Sequence, residues 1–352
     1  MRKISSHFIL TPQGLQPDMV VTVADNGTII EVSKTTHLDR EPGVEFYPGI
    51  LMPGLHNAHC HLELSHLRGK IPAGKGFAAF VEGMKTAPRD GGEAAAEFWD
   101  ARMWADGVSS VTDICNGDTT VELKKRSPIR YQSFHEIFGA NAKVPENLPE
   151  NSHEHTNNLT PHSLYSLDRK TFAQIIDRTE GPLSIHFMES EFEHPDPATE
   201  LVIRIPPDRP VMLVHNCLVT QRDIDIVMTH FSAPVTWVLC PASNRHISGL
   251  TPPVDLLRRN GLRISVGTDS LASNDTLSLI HELRLLQSAA ALSATSPATS
   301  APVPDQIPLP ELLGWVTLPL TPSLTTTGLV LLTGVDPQTQ IITQQARTQR
   351  IT

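Results

Sequence analysis

The chain has 352 residues, 39% of them apolar, and a formal net charge of -10 with no basic run to offset it. That length suits a large α/β domain with a small accessory module, and that charge speaks against nucleic acid or an anionic membrane surface as partner. Four widely spaced cysteines (Cys60, Cys115, Cys217, Cys240) form no CxxC pair and read as reduced, buried thiols.

The opening residues, Met1–His7, contain no continuous apolar h-region. No stretch approaches the roughly 20 apolar residues of a membrane helix, so the expected location is cytoplasmic. Next come Met19–Val23 and Thr28–Val32, separated by Asp25-Asn26-Gly27, a hairpin pattern with a strong turn signal. From about residue 50, short apolar runs recur: Ile50–Cys60, Ser109–Cys115, Ile129–Phe138, Leu159–Leu167, Pro182–Glu189, Pro210–Cys217, Thr236–Pro241 and Leu262–Ser270. Helical patterns lie between several of them, at Ala94–Ala105, Arg169–Thr179, Gln221–His230 and Val254–Asn260, and Thr276–Ala291 follows the last. Strands that alternate with helices and read as continuous apolar runs predict a parallel (β/α)8 TIM barrel of the α/β class. Ser293–Pro310, rich in Ala, Ser, Thr and Pro, reads as a flexible loop. Gly328–Leu332 and Gln340–Thr343 again read as strands, so the two ends are expected to build one small β module. The expected division is residues 1–50 plus 325–352 for that module and 51–324 for the barrel.

Barrel chemistry sits at the C-terminal ends of strands. The first run carries His56-Asn57-Ala58-His59-Cys60-His61, and strand alternation turns His59 and His61 to one side and Cys60 to the other. The fourth carries Thr160-Pro161-His162-Ser163, the fifth His186-Phe187-Met188-Glu189, the sixth Val214-His215-Asn216, and the eighth Gly267-Thr268-Asp269-Ser270. Three imidazoles and one carboxylate, His59, His61, His186 and Asp269, suit a single divalent ion with room for a water. Zinc is the expected ion, and iron or manganese would accept the same donors. Water on such an ion becomes a nucleophile near neutral pH. Asp269 can hold that water as well as the metal, Glu189 can carry its proton, and His215 can orient it or polarise the group attacked. His162 is expected to contact substrate, and Glu63, His246 and Ser270 lie near the same rim. His7, His37, His153, His155, His194 and His230 read as surface or structural residues. Phe77 and Phe80 read as a helix's core face ahead of a pocket wall.

In their order, these motifs resemble the amidohydrolase superfamily, in the branch of cytosine, chlorotriazine, S-adenosylhomocysteine and aminodeoxyfutalosine deaminases. The likeness covers most of residues 50–290. It implies a mononuclear metal on His59, His61, His186 and Asp269, with Glu189 as proton shuttle and His215 as a catalytic contact. It also implies a β-sandwich built from the two termini. Glu63-Leu64-Ser65, Gly76-Phe77 with Phe80-Val81, His135–Gly139 and Ser270–Asn274 look like the aminodeoxyfutalosine deaminases. The resemblance therefore implies an aminohydrolase acting on an aminated heterocycle or nucleoside, with a homodimer as a family-level expectation. The chain departs from the family pattern at Leu318–Thr327, where two prolines should stop a helix and the tail looks shortened. Ser190–Arg209 is short and proline-rich, leaving room only for a small lid. One rival reading is a cyclic-amide hydrolase of the dihydroorotase or hydantoinase kind. Those typically bridge two metals with a carboxylated lysine on strand four, where this chain offers His162 and no lysine. The other rival is a non-catalytic metal-binding relic.

Overall fold

A computed structural model describes residues 1–25, 29–36, 41–88, 90–146, 158–191, 193, 195–293, 306–317 and 328–352. Fifteen strands follow in chain order. The first five are β1 (Arg2–Thr11), β2 (Gly14–Gln16), β3 (Met19–Val23), β4 (Ile29–Lys34) and β5 (Val44–Pro53). Eight more are β6 (Leu55–Cys60), β7 (Val108–Cys115), β8 (Arg130–Ile137), β9 (Asn158–Pro161), β10 (Leu183–Phe187), β11 (Val211–His215), β12 (Val235–Leu239) and β13 (Ile264–Val266). The last two are β14 (Leu329–Val335) and β15 (Ile342–Arg350). The chain divides into two compact units, Met1–Asn57 with Asp100–Ser110 and Ser278–Thr352, and Ala58–Trp99 with Val111–Leu277.

In the first unit both termini enter one seven-stranded sheet, ordered β15-β14-β5-β1-β3-β4 with β2 on β1. β1 and β5 run parallel, and β14 is antiparallel to both β5 and β15. Ile4, Val21, Val23, Leu51, Leu329 and Leu331 form one buried cluster on it, so residues from both ends share a core. Asp100–Ser110 joins this unit through Arg350. Its guanidinium lies 3.4 Å over the Trp104 ring and donates to the carbonyls of Trp104 and Val108 and to Ser109 Oγ. The β3–β4 hairpin forms as expected, while its Asn26-Gly27 tip lies outside the described residues. The expected run Ile50–Cys60 is two strands, β5 and β6, in different sheets. The change comes after Gly54, whose N–H still bonds to Gly328 O in register with the β5–β14 pairing, while the next N–H, of Leu55, turns to Gly107 O.

The eight strands β6 to β13 lie in two parallel four-stranded sheets, β6-β7-β8-β9 and β10-β11-β12-β13. Single bridges, Ser163 to His186 and Cys60 to Asp269, join the two sheets at their edges. All of them but β7 are shorter than their apolar runs. β9 stops at Pro161, which has no N–H to extend a ladder, and β10 stops where Met188 turns to φ 51°. Helices α1 (Phe77–Thr86), α2 (Gly92–Ala105), α3 (Val121–Arg126), α4 (Arg169–Arg178), α5 (Pro197–Arg204), α6 (Gln221–His230), α7 (Pro241–Ile247) and α8 (Val254–Arg259) punctuate this region, and α9 (Leu279–Ser293) and α10 (Leu309–Thr317) follow. Their starts have local causes. Asp168 accepts the Thr171 N–H ahead of α4, Asp223 accepts the Thr220 N–H at α6, and Pro197 opens α5 with its fixed φ. α10 begins inside the stretch expected to be a loop, whose residues 294–305 lie outside the described ones, as do residues 318–327 of the tail. Among the described residues no helix is long and apolar enough to cross a membrane.

Candidate active site

His59 and His61 come from the end of β6, where every side chain is buried. Their Nε2 atoms lie 3.2 Å apart. Two lone pairs at that distance repel unless a proton or a cation lies between them. His186, on β10, brings its ring to 5.0 Å from that of His59. Asp269, just past β13, sets Oδ1 3.4 Å from His61 Nε2 and 3.7 Å from His59 Nε2. One donor atom from each of these four residues lies within 4.8 Å of the others. Burial pushes His59 down to about 4 and His186 well below its ordinary value, so both imidazoles are neutral, the form that ligates a metal. Burial works against ionised Asp269, but its hydrogen bond with His59 and the neighbouring imidazoles hold it well below the usual carboxylate range. Neutral imidazoles around one carboxylate, in a dry site, fit a divalent cation.

The donors are held from behind. Asp269 Oδ2 accepts hydrogen bonds from Ser243 Oγ at 2.6 Å and Ser273 Oγ at 2.9 Å, which leaves Oδ1 facing the imidazoles. His186 Nδ1 donates to the His162 carbonyl at 3.1 Å, directing Nε2 inward. The His59 carbonyl accepts from the N–H groups of both Thr268 and Asp269. A side chain at Gly267 would put Cβ 2.7 Å from the His59 backbone, so only glycine allows this approach.

Glu189 and His215 stand beside this cluster. Glu189 Oε1 is 3.7 Å from His215 Nε2, and burial, with Asp269 and Glu136 nearby, pushes the Glu189 carboxyl up to about 8. His215 Nδ1 lies 2.7 Å from Asn244 Oδ1 on α7. Met188, His215, Asn216 and Asp269 all have positive φ without being glycine. Backbone strain of this kind is retained where a site requires it. His162 stacks on His186 at 4.2 Å, with the half-exposed Phe138 edge-on to it at 4.8 Å and Tyr165 at 6.1 Å, and Phe77 meets the Tyr165 edge.

Of the four residues expected to touch substrate, His162 alone makes ring contact with the cluster among the described residues. Glu63 accepts the N–H groups of Asn116 and Gly117 and so holds the loop after β7. His246 binds the Ile71 carbonyl, and Ser270 is buried with its carbonyl accepting the Ser273 N–H. Phe80 packs with Leu67, Ile71 and Ala272, the core role expected of it. Cys60 is buried and outside the donor group. His230 binds the Ile205 carbonyl, whereas His37, His153, His155 and His194 lie outside the described residues. Sequence reasoning passed over Ser243 and Asn244, and it met Glu136 and Ser273 only inside segments of family likeness, with no role of their own. Glu136, at the end of β8, sets Oε1 3.6 Å from His186 Nδ1 and is pushed by burial up to about 7. The available signal was position, since Ser243 and Asn244 lie in the first turn of α7, shortly after β12, and Glu136 stands one residue before the end of β8.

A sequence profile described as the amidohydrolase family matches residues 152–304. The 5-methylthioadenosine/S-adenosylhomocysteine deaminase of Haloarcula marismortui is 26% identical over 326 residues, covering 80% of this chain and 73% of that protein. Over residues 152–304 the chain is thus similar to the amidohydrolase family. In structure this chain is similar to aminofutalosine deaminase of Helicobacter pylori in complex with methylthio-coformycin, at TM-score 0.69 and 22% identity over 84% of this chain and 83% of that one. It is likewise similar to a zinc-bound adenosine deaminase from Xanthomonas campestris, at TM-score 0.69 and 19% identity over 96% of this chain and 86% of that one. Both likenesses are likenesses of fold.

Proposed function

We propose that this protein is a metal-dependent aminohydrolase of the amidohydrolase family that deaminates an aminated heteroaromatic ring of adenosine or aminodeoxyfutalosine type. The observation that carries the reading is the Glu189–His215 pair standing directly beside the His59, His61, His186 and Asp269 group. Deaminases of aminated purine nucleosides among its relatives supply the substrate class. His59, His61, His186 and Asp269 would hold the ion, with zinc the best fit by analogy with the zinc-bound neighbour. A divalent ion supplies Lewis acidity and makes water a nucleophile at neutral pH.

The chain's own groups do the rest. Ionised Asp269 accepts a hydrogen bond from the attacking water through Oδ1, since Oδ2 is already held by two serines. Glu189 moves a proton from that water to the ring nitrogen and then to the departing amine, which leaves as ammonia. His215, its Nδ1 engaged by Asn244, presents Nε2 to Glu189 and to the oxygen that attacks. The His162 ring and Phe138 offer a flat wall for a planar heterocycle. We also read β6 to β13 as a closed barrel, because bridges join its two sheets at both edges. One observation leans toward the cyclic-amide alternative, a second donor group of Glu136, His162 and His186. It shares His186, whose Nδ1 already donates to the His162 carbonyl, so one ion per chain is expected.

Ammonia release by the metal-loaded enzyme from aminated purine nucleosides tests the reading. Glu189→Gln should lower kcat by about 10²–10⁴-fold while metal content holds at one ion. Absence of turnover on every purine, pyrimidine and triazine offered would overturn the function, and two ions per chain would favour the cyclic-amide alternative.

A further inference from the structure

Past the end of β10 two successive backbone N–H groups converge on one carboxylate. Glu193 Oε2 accepts the Met188 N–H at 2.8 Å, and Oε1 accepts the Glu189 N–H at 2.7 Å. Met188 sits at φ 51°, in the left-handed region that a residue with a side chain enters only at an energetic cost. Consecutive amides around such a residue form a concave anion-binding nest, and here the chain fills the nest with its own anion. The carbonyls on either side are used elsewhere, Phe187 O by the Asn216 N–H and Met188 O by the Leu218 N–H. The turn is therefore pinned to β11 through its carbonyls and to Glu193 through its amides. The side chain of Glu189 leaves from this pinned turn toward His215 Nε2.

We propose that Glu193 is a positioning residue for Glu189, fixing its backbone so that the carboxyl is aimed before substrate arrives. The proposal rests on the reading of Glu189 as proton shuttle. Its geometry requires only the two charge-assisted bonds, which a carboxylate makes roughly twice as strongly as a neutral acceptor. Gln at this position keeps one acceptor oxygen, and Ala removes both.

The test uses the full-length, metal-loaded enzyme. Glu193→Ala should lower kcat by about 10–100-fold with KM changed by less than about threefold and metal content unchanged. Glu193→Gln should fall between Ala and wild type. Hydrogen exchange at the Met188 and Glu189 amides should quicken by at least about tenfold in the Ala variant, and added formate should slow it again and restore part of kcat. In a Glu189→Gln background, Glu193→Ala should cost nothing further, because the group being positioned has gone. Unchanged exchange at these two amides, the same fold-loss in both backgrounds, or a raised KM with kcat intact would each overturn the proposal. Exchange and formate binding are read on the resting protein. A chain that turns over none of the substrates therefore overturns the functional reading, while those two readouts still decide the clamp.

Discussion

Asn244 decides which nitrogen of His215 carries the proton. With Oδ1 at 2.7 Å from Nδ1, the ring donates there and keeps a lone pair on Nε2, facing Glu189. Asn244→Leu should therefore lower kcat by about 10–100-fold, and Asn244→Asp, which retains an acceptor, should recover most of it. Nitrogen chemical shifts of His215 should show a proton on Nδ1 in the wild type and in Asn244→Asp, and a mixture of tautomers in Asn244→Leu. A proton on Nε2 in the wild type would contradict the assignment. The donor residues were legible in the sequence because ligand chemistry and strand alternation both mark them: His59 and His61 share a face, and His186 and Asp269 end strands. Asn244 and Ser243 were not, since they carry no metal-binding signature and meet His215 and Asp269 only through folding. Glu63 shows the opposite failure. It stands two residues from His61, yet the backbone of Asn116 and Gly117 claims its carboxylate.

At the scale of elements, β6, β7 and α3 meet through a buried ion pair. Asp113 on β7 accepts the Leu62 N–H at 2.9 Å, just after His61, and is paired with Lys124 of α3. Burial would lower the Lys124 pKa, but Asp113 and its neighbours hold it above its usual value, so the pair stays charged. Removing one partner leaves the other charge without compensation. Lys124→Met should cost about 3–5 kcal/mol, whereas adding Asp113→Asn, which still accepts from Leu62, should return most of it. Urea titration of the three proteins measures both changes, and an additive double variant would contradict the pairing. Every one of the eight parallel strands was legible, because strands buried on both faces read as apolar runs. Their limits were less so: Pro161 marks the end of β9, but β10 and β11 end on positive φ at Met188 and His215, which no breaker residue announces. The short helices α3, α5 and α7 span two turns or fewer and show no period to read.

Across the whole molecule, buried acids and buried imidazoles set opposite limits on stability. Burial raises Glu136 to about 7 and Glu189 to about 8 from an ordinary 4.5, so their contribution is full below 4.5 and lost as pH rises through 7 to 8. Burial lowers His59 to about 4 and His162 to about 3 from an ordinary 6.5, so theirs is full above 6.5 and lost as pH falls through 4 to 3. Metal-free protein prepared by chelation should thus melt highest between about pH 4.5 and 6.5, and a melting temperature still climbing at pH 8 would contradict this. The pairing of the two chain ends was legible from their shared β character. That they enter one continuous sheet was not, because β14 pairs with β5 across most of the sequence. This pairing also sets a clock on synthesis. β14 leaves the ribosome some 280 residues after β5, an interval of roughly 15–55 s at ordinary elongation rates. Through that interval the edge bearing Ile50, Leu51 and Met52 has no partner, and the nascent chain is a natural client for a chaperone that shields open strands.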